Sequence, residues 1–432
     1  MATGVSARER LSARLRAARQ DTAALVDRLE LLVSAESPPG SVQQLEVCAE
    51  LLAGWGETVL GRTGQRVVRD GLPHLIWPGP DQGVLLLGHF DTVWPAGTLR
   101  EWPFRVAGAT ATGPGVCDMK AGIVQMLAAL GMLEDTSRVG VLLTCDEETG
   151  SVTSRALIEE HARRSSAVLV CEPSSPDGTL KIARKGGSVY QLAIRGRAAH
   201  AGVEPHAGIN ATVEVAHQVL TVGDLADSVS ETSVTPTVIA GGTTTNTVPE
   251  QASVYVDVRA WTRGELDRVD RGIRGLTTHL PEATLTVGGG LNRYPLPEEV
   301  ALPLLDIARS AAADLGILPP DGAHAPGASD GNFTGALGVP TLDGLGAVGG
   351  GSHARGEYVE VAMMPDRAAL LAGLIERLLD KPGIPLSCGR EPTRPDDTAV
   401  RSGRGIPGRR SADQSGGTAG RGGREDRQAR PR

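Results

Sequence analysis

Aromatic side chains are scarce in this sequence: five Trp, four Tyr and three Phe among 432 residues. Aliphatic residues therefore have to fill the core. No apolar run approaches the roughly 18–20 residues that a membrane-spanning helix needs, which sets aside the helical membrane proteins. The five cysteines are an odd number with no paired spacing, which argues against a disulfide framework. The first residues, MATGVSARERLSARLRAARQ, lack the apolar stretch of a secretion signal. Together these absences lead us to expect a soluble, cytoplasmic protein.

Glycine, by contrast, is abundant. There are 56, where average usage of about 7% gives far fewer. The formal net charge of −8 hides a division. From residue 383 onward there are eleven Arg against six Asp and Glu, a balance of +5, which leaves −13 for the first 382 residues. An acidic body is a poor nucleic-acid binder, so no nucleic-acid partner is expected. Residues 383–432 are Gly-, Arg- and Ser-rich with few apolar residues, a composition that predicts disorder.

At about 150 residues per domain the length suggests two or three domains. The first 60 residues read as helical. Leu25, Leu29 and Leu32 recur at helical spacing after a cap candidate at Asp21, and Ser41 with Gln44 forms a capping-box pattern ahead of Leu45, Cys48, Leu51 and Trp55. Short apolar runs follow at Val84–Leu87, Val139–Cys145 and Ala167–Cys171, as in strands covered on both faces. Strand and helix patterns alternate, which is the signature of an α/β fold. From about residue 183 the strands alternate apolar and polar residues, and the order β-α-β-β-α-β emerges, a ferredoxin-like unit. Helix and strand patterns of the first kind then resume to about residue 380. The expected organisation is a domain formed by 1–182 and 296–382, a second domain inserted at 183–295, and a tail at 383–432.

Three of the apolar runs end in groups that can bind metal. One leads into His89-Phe90-Asp91, one into Asp146-Glu147-Glu148, and one into Glu172-Pro173. In open α/β sheets, ligands bind at the carboxyl ends of the strands, so these clusters would converge in space. Asp118 lies in the Gly-rich turn GPGVCDMKAG, and His353 follows GAVGGGS. A lone histidine after a strand, or one acidic turn, is ordinarily structural. Three such clusters at three strand ends are not explained that way. Imidazole and carboxylate donors suit zinc, and two divalent ions sharing a carboxylate would offset the crowding of Asp118, Glu148 and Glu172. One residue of Glu147-Glu148 could then hold metal while the other remains free as a base.

The strings GHFDTVWPAGTL, GPGVCDMKAG, CDEETGS, CEPS, GRAAHAG, GASDGNF and GGGSHARGEYV resemble, in family order over about residues 20–380, the aminoacylase/carboxypeptidase group of dizinc hydrolases, metallopeptidase family twenty. The glutamate carboxypeptidase branch is the most similar. The resemblance implies a phosphorylase/hydrolase-like mixed sheet as catalytic domain, with the inserted ferredoxin-like α+β unit as a lid that mediates homodimerisation. It implies two zinc ions, with cobalt or manganese as alternatives. His89 and Glu172 would hold the first, Glu148 and His353 the second, and Asp118, ahead of a cis peptide to Met119, would bridge them. Glu147 would be the general base, Asp91 would fix the His89 ring, and His200 would be a lid histidine that stabilises the oxyanion, often from the partner subunit. Asn246 and Arg259 match lid residues that contact the substrate carboxylate, and Arg293 is a further candidate, although the chain has Arg-Tyr-Pro where the family often has Arg-Pro. Asp330 would lie near the site.

The activity implied is hydrolysis, by a metal-bridged hydroxide, of the amide bond that joins a C-terminal amino acid, glutamate being one candidate, to a small peptide or N-acyl group. The alternative within the class is a deacylase of the acetylornithine or succinyl-diaminopimelate type. The alternative outside it is a non-catalytic metal- or ligand-binding protein, which would have lost Glu147 or a metal ligand.

Overall fold

The computed structural model describes residues 7–380. The expectation of disorder for 383–432 lies outside the described residues. A six-stranded sheet forms the centre, in the order Gln65–Arg69, Leu72–Trp77, Val139–Thr144, Val84–His89, Ala167–Val170 and Thr341–Leu342. Val84–His89 runs parallel to both its neighbours, and Leu72–Trp77 joins antiparallel to Val139–Thr144, so the sheet is mixed. The three apolar runs picked out in the sequence are its middle strands, and every residue in them is buried.

Alternation divides those strands between two cores. Leu86, Val141, Leu143 and Leu169 pack with Leu45, Leu52, Ile123 and Leu371 on one face. Leu85, Leu87, Leu142 and Val168 pack with Leu157, Ile158 and Phe333 on the other. A strand covered on both faces has no use for polar alternation, which is why these segments read as continuous apolar runs.

The N-terminal region is helical over Ala7–Gln20, Thr22–Ser34 and Val42–Leu60. Leu25, Leu29 and Leu32 are buried. The caps differ from expectation. Asp21 makes no side-chain cap bond, and the Ser41 hydroxyl donates to Gln44 Oε1 at 3.0 Å without accepting from the first turn of its helix. In the third helix the buried stripe is Leu45, Cys48, Ala49, Leu52 and Gly56, while Leu51 and Trp55 are only partly covered. The helix leans on Trp77 so closely that a Cβ at Gly56 would lie 2.4 Å from the indole ring.

Between Arg184 and Leu296, which form an antiparallel bridge, the chain builds a second, four-stranded antiparallel sheet. Its order is Ser233–Gly241, Gln251–Ala260, Gly186–Arg195 and Thr284–Arg293. This is the ferredoxin-like arrangement inserted into a mixed α/β fold. Two helices cover one face. Ala211–Gly223 is capped by Asn210, which accepts from the Thr212 and Val213 amides. Arg263–Arg274 is capped by Thr262, which accepts from Glu265. A separate core of Tyr190, Leu192, Val254, Val256, Val258, Val215, Leu266 and Val269 lies between. Only one face is dry, hence the strict alternation along Gln251–Ala260.

Candidate metal and catalytic site

The carboxyl ends of the three middle strands carry the site. His89 is the last residue of its strand. Beyond Thr144 the chain turns through Asp146, whose Oδ2 accepts from the Thr153 amide (2.7 Å), the Thr153 hydroxyl (2.8 Å) and the Ser154 amide (3.3 Å). That tight turn presents Glu147 and Glu148. The fully buried Asp91 fixes it from the other side, accepting the Glu147 amide on Oδ1 at 3.3 Å and the Glu148 amide on Oδ2 at 3.0 Å. Asp91 also faces the His89 ring. Nδ1 lies 3.0 Å from the Asp91 carbonyl and 3.4 Å from Oδ1. One residue thus orients both the imidazole and the two-glutamate turn.

Asp118 joins two groups of donors. Its Oδ1 is 3.3 Å from His89 Nε2, which is also 3.3 Å from Glu172 Oε1. Its Oδ2 is 3.6 Å from His353 Nε2, which is 3.2 Å from Glu148 Oε2. Ligand atoms of His89, Asp118 and Glu148 all lie within 4.8 Å of one another. The Asp118–Met119 peptide is cis. The approach to it requires glycine at Gly115, where φ is +69° and a Cβ would meet Thr92 Cγ2 at 2.3 Å. His353 stands in the left-handed region with φ of +64°, a conformation a non-glycine residue adopts at some cost.

The electrostatics are those of a site built around positive charge. Burial disfavours charge on Asp118, yet His89, Lys181 and His353 hold its pKa down to about 2. Burial likewise opposes charge on His89, and the carboxylates of Asp118, Asp91 and Glu172 override it and raise the imidazole well above its usual value. Glu148 contacts raise His353 to about 9. Burial lifts Glu147 well above the ordinary carboxylate range despite Arg293 and His89. In this arrangement His89 Nε2 and Glu148 Oε1 are buried without a hydrogen-bond partner. A buried imidazole nitrogen facing two carboxylates unbonded is poor as a polar core and well suited to a divalent cation. The oxygen and nitrogen donors fit zinc.

Arg293 and Asp330 also belong to this neighbourhood. Arg293 is 8% exposed. Its Nη2 is 3.0 Å from Glu147 Oε1 and donates to Asp330 Oδ1 at 2.9 Å and to Ser151 Oγ at 2.6 Å. Asp330 also accepts from the Ser151 and Thr144 hydroxyls. The other lid candidates lie apart. His200 is exposed, in a short pairing with Thr247–Val248, and its Nδ1 accepts from the Gly202 and Val203 amides, both at 3.1 Å. Asn246, exposed beside it, accepts the Ala201 amide on its carbonyl. Arg259 is half-buried and forks onto Asp257, with Nη2 2.9 Å from Oδ2. Among the described residues no hydrogen bond or ion pair joins His200, Asn246 or Arg259 to the cluster.

Sequence reading missed two contributors. The Arg184–Asp343 pair, with Nε to Oδ2 at 2.6 Å, stands against Glu172, whose Oε2 is 3.6 Å from Arg184. No local pattern marks it. Glu357 accepts the backbone amides around Asp118. Its signal was its place four residues after His353.

The strand ends of the mixed sheet, with the His353 hairpin, thus gather two imidazoles around shared carboxylates, a donor set suited to a divalent metal. The profile of Peptidase family M20/M25/M40 matches residues 85–377. The chain is 31% identical over 388 residues to carboxypeptidase G2 of Pseudomonas sp. (strain RS-16), covering 85% of this chain and 92% of that one. It is 30% identical over 360 residues to a succinyl-diaminopimelate desuccinylase of Paracoccus denitrificans, covering 75% and 91%. Among solved structures, an M20 family metallo-carboxypeptidase of Sulfolobus solfataricus superposes with a TM-score of 0.67 at 15% identity, over 82% of this chain and 99% of that one. The chain belongs to Peptidase family M20/M25/M40 and is a metal-dependent hydrolase of amide bonds. Among the described residues no helix is long and apolar enough to cross a membrane.

Proposed function

We propose that this protein is a dizinc carboxypeptidase that releases a C-terminal amino acid, glutamate in the first instance, from a small peptide or N-acyl conjugate. The observation that carries the reading is the division of donors about Asp118: His89, which faces Glu172, on one oxygen, and His353, which faces Glu148, on the other. These residues would hold two zinc ions, with cobalt or manganese as substitutes. Such ions activate water and polarise the scissile carbonyl.

Glu147 is not among those donors. It sits beside them, held by Asp91 through its amide and by Arg293 through Oε1. It takes the proton of the attacking water and passes it to the departing amine. Asp91 holds the His89 ring and the Glu147-Glu148 turn in place. His200 stabilises the oxyanion, and Asn246 and Arg259 receive the substrate carboxylate, with Arg293 at the inner edge of that subsite. The first three lie on the lid away from the cluster, so they reach substrate by lid closure or from a partner subunit. We therefore propose a homodimer formed through a lid of residues 183–295, with 1–182 and 296–382 as the catalytic domain of a cytoplasmic enzyme.

Likeness to carboxypeptidase G2 favours this branch. The similar identity to a desuccinylase favours a second reading, an N-acyl-amino-acid deacylase. The base assignment is tested by Glu147→Gln. The variant is expected to keep its metal and to lose about 10²–10⁴-fold in turnover; turnover near that of the parent would refute it.

A further inference from the structure

Glu357 is fully buried, and among the described residues no ion pair within 4 Å reaches its carboxylate. Four N–H groups meet it instead. Oε1 accepts the Cys117 amide at 2.7 Å and the Asp118 amide at 2.9 Å. Oε2 accepts the Gly115 amide at 3.0 Å and the Trp94 indole Nε1 at 3.1 Å. These donors come from two separate segments. Trp94 belongs to the loop that leaves His89. Gly115, Cys117 and Asp118 form the turn that carries the shared carboxylate. Glu357 itself closes the hairpin tip that holds His353, between the paired strands Gly349–Gly350 and Tyr358–Glu360. The return strand of that hairpin lies against Thr110–Thr112, just ahead of the Asp118 turn.

Three ligand-bearing segments are thus tied to one carboxylate. His353 needs such a tie. It is more than half exposed, sits in a left-handed conformation, and lies in a loop flanked by Gly351 and Gly356, both with positive φ. The loop's own tether, the Arg355–Glu101 ion pair, is exposed, whereas His353 Nε2 must be kept 3.6 Å from Asp118 Oδ2. We propose that Glu357 is a positioning residue that sets the spacing between Asp118 and His353, and so determines the affinity of the second metal ion. This rests on the dinuclear reading above. Glu357 touches neither substrate nor ion; it acts by holding the backbone from which Asp118 projects and the hairpin from which His353 projects.

The test is zinc binding to the full-length protein, stripped with a chelator and titrated calorimetrically alongside thermal unfolding of the metal-free form. Glu357→Gln puts an NH₂ group where one oxygen accepted two N–H donors. It is expected to weaken the weaker of the two zinc-binding steps by about 10–100-fold, the usual effect of losing a group that orients a metal ligand, and to leave the tighter step much less affected. Glu357→Asp keeps the charge and shortens the reach, and is expected to show the same order of effects at smaller amplitude; it serves if the Gln variant does not fold. Two ions bound by both variants as tightly as by the parent, or both steps weakened equally in proportion to a fall in Tm, would overturn the proposal. Fewer than two ions on the parent would overturn the dinuclear reading and this proposal with it, so the two failures are told apart by the parent titration.

Discussion

Arg293 shows how one side chain is shared between stability and chemistry. It ends the last strand of the lid and reaches into the candidate site, where a single Nη2 serves Glu147, Asp330 and Ser151. Removing it would leave two buried carboxylates without their cation. Arg293→Met is expected to cost about 3–5 kcal/mol of unfolding free energy, read as a shift of the urea midpoint, with a fall in kcat as Glu147 loses its brace. An unchanged midpoint would mean that solvent already screens the pair. At this scale most of the candidate metal cluster was legible in the sequence, because His89, Glu147-Glu148 and Glu172 each follow an apolar strand run directly. The Arg184–Asp343 pair was hidden for the opposite reason, and Arg293 and Asp330, though each was named, could not be paired: the partners are 159 and 37 residues apart and no periodicity links them. Glu357 stood in a recognised string four residues after His353, yet which backbone amides its carboxylate accepts cannot be read from sequence.

The helix Ala121–Gly131 packs directly on the strand end that carries Glu172. A Cβ at Gly122 would lie 2.1 Å from the Cys171 carbonyl oxygen, a contact that backbone atoms cannot yield. Gly122→Ala is expected to push the helix off the sheet, to destabilise by about 1–3 kcal/mol, and to weaken metal binding, since Asp118 sits three residues before the helix begins. A stable variant with full metal content would show that the helix can shift freely. In the lid, the buried Glu214 binds the His279 amide at 3.0 Å, the Leu280 amide at 2.7 Å and Gln218 Nε2 at 2.7 Å. Burial opposes its charge, but these donors outweigh burial and lower its pKa. A carboxylate with a depressed pKa stabilises the fold above its unfolded pKa, and that contribution disappears as pH falls through the folded value. Glu214→Ala is therefore expected to cost about 1–3 kcal/mol of stability at pH 7 for donors left unbonded, read as a lower Tm, and the gap to the parent should narrow as pH drops through the acidic range. A gap that widens in acid would contradict this. The elements were legible in kind because buried and half-wet strands differ in periodicity. Caps were not: Ser41 and Asp21 have the right residue types, and the hydroxyl or carboxylate turns elsewhere.

The molecule is divided chemically as well as structurally. One core lies on each face of the mixed sheet and a third lies under the lid helices, while the charge of the first 382 residues is −13. The candidate metal cluster gathers at the strand ends of the mixed sheet, whereas His200 and Asn246 stand exposed on the inserted unit. That separation explains why sequence could point to both groups but not to their meeting. Under the proposed function, lid closure or a partner subunit would have to supply the missing distance, and neither is encoded in local spacing. His200→Ala should accordingly depress turnover while zinc content stays at the parent's level, checked by metal analysis of the same preparations; a parallel loss of zinc would place His200 in the metal site instead. The central claim is most directly tested by one assay of zinc-reconstituted protein against dipeptides and N-acyl amino acids that differ in their C-terminal residue. Release of the C-terminal amino acid is expected, with kcat/KM highest for glutamate, and no release from apoprotein. Turnover confined to N-acetylornithine or N-succinyl-diaminopimelate, or no amide cleavage with zinc bound, would contradict it.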